Sequence, residues 1–171
     1  KFAPAGGAER QAATMARGLL ARGHEVHVFA RSLAPMQGVI EHRVPAEGFY
    51  RHASFAHQSR ALLEASRFDI VHSFTRTSAQ DILRLGGGTH REYLDRTDPV
   101  YSALGRLWRR LRPKERHELR LERESFSPSA SRHIVAVSHR VKAEVIRHYG
   151  VPAEKISVIH NGVDGEEFKP D

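Results

Sequence analysis

Hydrophobic positions along this chain repeat at two periods, and the alternation between them predicts its elements. In residues 8–22, AERQAATMARGLLAR, Ala12, Met15, Ala16 and Leu19 fall at i, i+3, i+4 and i+7, the spacing of a helix with one apolar face. Gly23 follows as its stop. Residues 24–30, HEVHVFA, alternate Val26 and Val28 with His27 and Phe29, which predicts a strand. Residues 31–51 are rich in Pro and Gly, with a short strand over 39–44, and residues 55–67 read as helix. Residues 69–74, DIVHSF, make a second clear strand, and 81–85 a weaker third that ends in Gly86, Gly87 and Gly88.

The middle changes texture. Leu104, Leu107, Trp108 and Leu111 repeat at helical spacing until Pro113, which interrupts that helix and can occupy the first turn of another over 114–126. Residues 132–137 are a short apolar strand. Ser138 is placed to cap a helix running to Tyr149, with Val141, Val145 and Tyr149 on one face and Gly150 as its stop. Residues 155–160 form the last strand, followed by a turn at Asn161-Gly162. Strands alternating with helices at these intervals predict βαβ units. The expected class is α/β, a Rossmann-like, mostly parallel sheet with helices on both faces.

Composition narrows the picture. A chain of 171 residues argues for one globular domain with a real core. At 40% hydrophobic and 27% charged residues it is not a disordered chain, and it has no run of 18 apolar residues. No basic–apolar–small leader pattern stands at the start. The absence of cysteine removes disulfides, thiol nucleophiles and thiolate metal sites, and fits a reducing cytoplasm. No HExxH or similar spacing occurs, so no metal and no cofactor are expected. A net charge of +7 favours polyanionic partners: nucleic acid, anionic lipid or phosphorylated small molecules. With 12 histidines, no single one is a strong signal.

Gly6 and Gly7 precede a helix N-terminus, where free N–H groups and the helix dipole favour an anion; a tight turn explains them equally well. They do not complete a GxGxxG fingerprint. Over 105–126, Arg106, Arg109, Arg110, Arg112, Lys114, Arg116, Arg120 and Arg123 stand against Glu115, Glu118 and Glu122. Beside these arginines the strip containing Trp108 suits an anionic bilayer, with Arg106, Trp108, Arg109, Arg110 and Arg112 as contacts. Each basic residue at such a surface is worth roughly 1 kcal/mol. Alternatively the strip packs on the sheet and the charges are merely solvated. His72, inside a strand, reads as a packed core histidine.

The run GGAERQAATMARGLLARGHEVHVFA, then FDIVHSF, then IVAVSHRVKAEVIRHYGVPAEKISVIHNGVD with Phe168 and Pro170, resembles in order and spacing the family 4 glycosyltransferases of the GT-B fold. The middle segment, DILRLGGGTHREYL followed by basic helices, is most similar to the lipopolysaccharide core glucosyltransferase branch. The resemblance implies two Rossmann-like halves around a cleft. Residues 1–160 would be the acceptor-side half, and 161–171 would open the linker to a donor-binding half absent from this chain. It also implies a first strand ahead of Lys1. Without the donor-binding half this chain is expected to be inactive alone, and without that strand it is expected to be unstable, melting higher once about seven apolar residues are restored.

By the same resemblance the whole enzyme would be a retaining glycosyltransferase. It would move a sugar from a nucleotide-sugar donor to a cell-envelope glycan or glycolipid such as lipopolysaccharide core, on the inner face of the cell membrane. Gly6, Gly7 and Arg10 would lie near the donor diphosphate. His90 would touch the reacting sugar or acceptor, with Thr89, Arg91 and Glu92 on the acceptor side. Some members of the branch carry an acid where Gly88 stands. Two rivals remain: another GT-B enzyme such as a nucleotide-sugar epimerase, and a non-catalytic basic module for membrane or nucleic acid. No aromatic-interleaved platform for bases is visible, so no nucleic acid is expected.

Overall fold

The paired strands run parallel, and in the C-terminal part of the chain the helices between them return it to the same edge. The structure is a computed structural model and describes residues 6–48 and 50–162. Residues 1–5, and the part of the expected linker beyond Gly162, lie outside the described residues. Helix α1 (Gly7–Leu20) is followed by β1 (Val26–Ala30) and β2 (Val39–Arg43). After α2 (Arg51–Glu64) come β3 (His72–Ser73) and β4 (Ile82–Leu85). Three consecutive helices follow, α3 (His90–Thr97), α4 (Ala103–Leu111) and α5 (Pro113–Ser125); β5 (His133–Ala136), α6 (His139–Tyr149) and β6 (Ile156–Val158) end the series. Among the described residues the strands form a pair, β1-β2, and a four-stranded sheet in the order β3-β4-β5-β6, parallel throughout. The expected α/β class is the one observed.

Register explains the core. Leu83 pairs with Ile134, Leu85 with Ala136, and Ile134 with Ile156, so alternate residues of three strands share one face. That face packs against Val141 and Val145 of α6, with Phe126 and Val151 closing the cluster. Fully burying a Leu, Ile or Val is worth about 1.5–3 kcal/mol each, so this cluster holds β4, β5, β6 and α6 together. A second cluster joins Ala13 and Ala16 of α1 to Val26 and Ala30 of β1.

Two elements differ from expectation. Only His72–Ser73 of the strand expected over 69–74 joins the ladder. Asp81 takes over one end of it: its carboxylate accepts the Val71 N–H at 2.9 Å, while the Val71 carbonyl accepts the Asp81 and Ile82 amides. Helix α3 was not expected at all, and its start is set by Thr89, whose side chain accepts the Glu92 amide. Helix ends follow local chemistry elsewhere: Ser138 accepts the Val141 amide at 3.3 Å, and Gly150 closes α6 at φ 64°. Gly150→Ala is expected to cost about 1–2 kcal/mol because a Cβ opposes that backbone region. Gly18→Ala, inside α1 with only the flexible Arg22 guanidinium 3.4 Å from the new Cβ, should instead gain about 0.5–1 kcal/mol. Urea midpoints moving in opposite directions check both.

Candidate functional site

Strand C-termini, the turn 86–88, Ser138 and Asn161 share one edge of the four-stranded sheet, the edge where open α/β sheets take ligands. The N-terminus of α1 is brought to it as well, because the Gln11 amide donates to the Gly162 carbonyl at 3.1 Å. Arg84, buried in β4, donates to Asn161 Oδ1 at 2.9 Å and anchors the chain as it leaves β6. Gly6 caps α1 in an extended conformation with no side-chain partner, and the Glu9 carboxylate folds back beside it. Arg10 is exposed one turn into the helix.

The turn 86–88 leads into α3, whose first amides point at two buried carboxylates. Thr89 N–H donates to Glu144 Oε2 at 3.0 Å, His90 N–H to Glu122 Oε1 at 2.6 Å, and Arg91 N–H to Glu122 Oε2 at 3.1 Å. Helix N-termini attract negative charge, and here the protein supplies it. Glu122, 0% exposed, also binds Arg76 at 2.8 Å and accepts the Tyr149 hydroxyl. Burial, and then the hydrogen bond to Glu122, push that hydroxyl well above its ordinary range. Gly88 has a packing reason to be glycine, since a Cβ there would sit 2.6 Å from Glu144 Oε2.

His90 is held on its ring as well. Its Nε2 lies 2.6 Å from Glu115 Oε2, and its ring stacks on Tyr93 at 5.9 Å. Glu115, Glu118 and Glu122 fall at i, i+3 and i+7 on one face of α5 and engage His90, His52 and Arg76 in turn. The hydrogen bond from His52 holds the Glu118 carboxyl below the ordinary carboxylate range. Counting charges along the sequence had merged these acids with a solvated basic run. Their helical spacing was the available signal, and no comparable signal marked Glu144, Arg76 or Tyr149.

The remaining expected residues divide. Thr89 is buried as a cap, and Arg91 pairs along the helix with Asp95 at 3.0 Å. Glu92 is buried rather than offered to an acceptor; Arg96 at 2.6 Å, His148 at 2.7 Å and Arg147 surround it. The His148 hydrogen bond, helped by both arginines and opposed by burial, holds its carboxyl down to about 2 from 4.5. A carboxyl depressed in the folded state adds stability above its unfolded pKa, and that stability is lost as pH falls through the folded one. Wild-type stability should therefore decline between pH 4.5 and about 2, and Glu92→Gln should flatten that decline in denaturation curves taken across the window.

Helix α4 is turned over relative to an ordinary surface helix. Its one buried residue is Arg109, 8% exposed, while Leu104, Leu107, Trp108 and Leu111 are exposed at 66%, 55%, 69% and 56%. The Arg109 guanidinium donates to Thr97 Oγ1 at 2.6 Å and lies over the rings of Tyr93 and Tyr101. Arg109 thus faces inward, a correction to its expected outward role. Arg110 pairs with Asp95 and Asp98, and Arg106 and Arg112 are exposed. The strip does not pack on the sheet. No helix among the described residues is long and apolar enough to cross a membrane.

Clefts of about 300 and 540 Å³ lie elsewhere, the first at the strands' N-terminal edge beside Gln80 and Ser131. The second runs between α2 and α5, past Arg60 and Arg120. Neither borders His90.

Known proteins share this frame. A "Probable transglycosylase" of Burkholderia thailandensis is 33% identical over 174 residues, a match covering 96% of this chain and 44% of that protein. The crystal structure of WaaG, a glycosyltransferase involved in lipopolysaccharide biosynthesis, superposes with a TM-score of 0.81 at 20% identity, covering 96% of this chain and 44% of WaaG. The chain therefore spans less than half the length of these two relatives, and the WaaG likeness shows the fold, the N-terminal half of GT-B. The sequence profile of Glycosyltransferase Family 4 matches residues 5–167, nearly the whole chain, and this protein belongs to that family.

Proposed function

We propose that this chain is the acceptor-side half of a retaining glycosyltransferase, moving a sugar from a nucleotide donor to a cell-envelope glycan or glycolipid such as lipopolysaccharide core. The observation that carries the reading is the convergence, at one sheet edge, of the α1 N-terminus, the Asn161 turn and an immobilised His90. Family membership supports it, and so does the involvement of WaaG in lipopolysaccharide biosynthesis. The amides that begin α3 already hold carboxylates, so a donor diphosphate belongs at the Gly6–Gly7 end of α1, near Arg10. His90, fixed by backbone and ring, would orient the reacting sugar or acceptor hydroxyl, and such positioning is a large part of transfer catalysis.

The test uses protein expressed from the whole gene, with nucleotide sugars and a lipid-linked glycan. Transfer of labelled sugar, with retention at the anomeric carbon, is expected. Transfer with inversion, or conversion of the nucleotide sugar with no acceptor present, would reject the reading.

A second reading concerns location. The outward apolar face of α4, rimmed by Arg106, Arg110 and Arg112, supports peripheral binding to an anionic leaflet on the cytoplasmic side. That places a glycolipid acceptor within reach of the enzyme that modifies it.

A further inference from the structure

We infer that Glu115 is a positioning residue that makes His90 a hydrogen-bond acceptor at the sheet edge, for a sugar hydroxyl. This deepens the functional reading above and rests on it. A carboxylate offers only acceptor oxygens, so at 2.6 Å from Glu115 Oε2 the ring nitrogen Nε2 must carry the proton. In its neutral form the ring then has its lone pair on Nδ1, which makes no hydrogen bond among the described residues. The Nδ1 atom is not sealed in: it is not among the buried nitrogens left without a partner, and the side chain is 19% exposed. Its direction is also fixed. Glu122 clamps the His90 and Arg91 amides, and Tyr93 stacks on the ring.

Such an arrangement suits a donor hydroxyl and disfavours a ligand that offers only acceptor atoms, such as a phosphate oxygen. A partner that orients one ring nitrogen and leaves the other for chemistry is a recurrent use of carboxylate–histidine pairs. Glu115 stands two residues beyond Pro113, at the junction of α4 and α5. The residue that sets the ring therefore stands on the helix joined directly, through Arg112, to the one that carries the outward apolar face.

Two substitutions separate this role from simple support of the fold. Glu115→Gln keeps an acceptor oxygen, while Glu115→Leu keeps bulk and removes it. In proton NMR of the 171-residue chain at neutral pH, the wild type should show a slowly exchanging, downfield ring N–H assigned to His90 Nε2. Glu115→Gln should retain it and Glu115→Leu should lose it. In protein from the whole gene, Glu115→Leu should lower kcat/KM for sugar transfer by roughly tenfold, the worth of one oriented hydrogen bond. Glu115→Gln should recover most of that loss, and on a His90→Ala background Glu115→Leu should have no further effect.

A ring N–H that survives Glu115→Leu overturns the inference, as does a loss that persists undiminished on the His90→Ala background. Should His90→Ala leave transfer intact, the functional reading fails instead. The NMR comparison, which needs no turnover, still decides whether Glu115 sets the ring.

Discussion

Replacing Glu122 with alanine should lower the stability of this chain by about 3 kcal/mol, the scale of removing one partner from a buried ion pair. The side chain is fully buried and satisfies four donors: the His90 and Arg91 amides, the Arg76 guanidinium and the Tyr149 hydroxyl. Alanine leaves all four without their acceptor. Arg76 is partly exposed and can recover water, which keeps the figure at the lower end of the range. The same change frees the first turn of α3, and with it the backbone of His90. Urea denaturation at neutral pH measures the effect. A loss under about 1 kcal/mol would mean that the α3 N-terminus does not depend on the acid.

The second large effect concerns α4. Trp108→Glu together with Leu104→Glu should abolish measurable binding to vesicles rich in anionic lipid and leave the melting temperature nearly unchanged. Taking each apolar side chain out of water contributes about 1.5–3 kcal/mol, so losing two weakens binding by roughly 10²–10⁴-fold. The basic rim adds about 1 kcal/mol per residue near an anionic surface, so binding should also fall with salt. Arg109→Ala should do the reverse, destabilising the fold through the loss of Thr97, Tyr93 and Tyr101 as partners. Co-sedimentation and thermal melts of the two variants check both halves. Vesicle binding that survives the double glutamate variant would exclude this face, and a large drop in its melting temperature would show that the strip is covered.

The strands and most helices were legible in the sequence because their periods are set by burial. Val26 and Val28 alternate across a strand, Val141 and Val145 repeat along a helix, and Ser138 and Gly150 mark its ends. Helix α3 was hidden because HREYLDRT carries almost no apolar face: it is held by Thr89 at its cap and by carboxylates from α5 and α6. Those carboxylates lie 32 and 55 residues away along the chain, a separation no local pattern reveals. His90 follows a glycine-ended strand and is singled out by the family resemblance, whereas its partner Glu115 was obscured by the surrounding arginines. The direction of α4 was likewise open: its spacing gives an amphipathic helix in either orientation, and only the partners of Arg109 decide which face turns inward.

The central claim is that a sugar acceptor is met at the sheet edge holding His90 and not at the cleft between α2 and α5. Backbone amide NMR of the 171-residue chain, titrated with a soluble analogue of a lipopolysaccharide core oligosaccharide, tests it most directly. Perturbations concentrated at residues 86–91 and around Ser138 and Asn161 are the predicted result. Perturbations confined to the groove lined by His57, Arg60, His117 and Arg120 would contradict it.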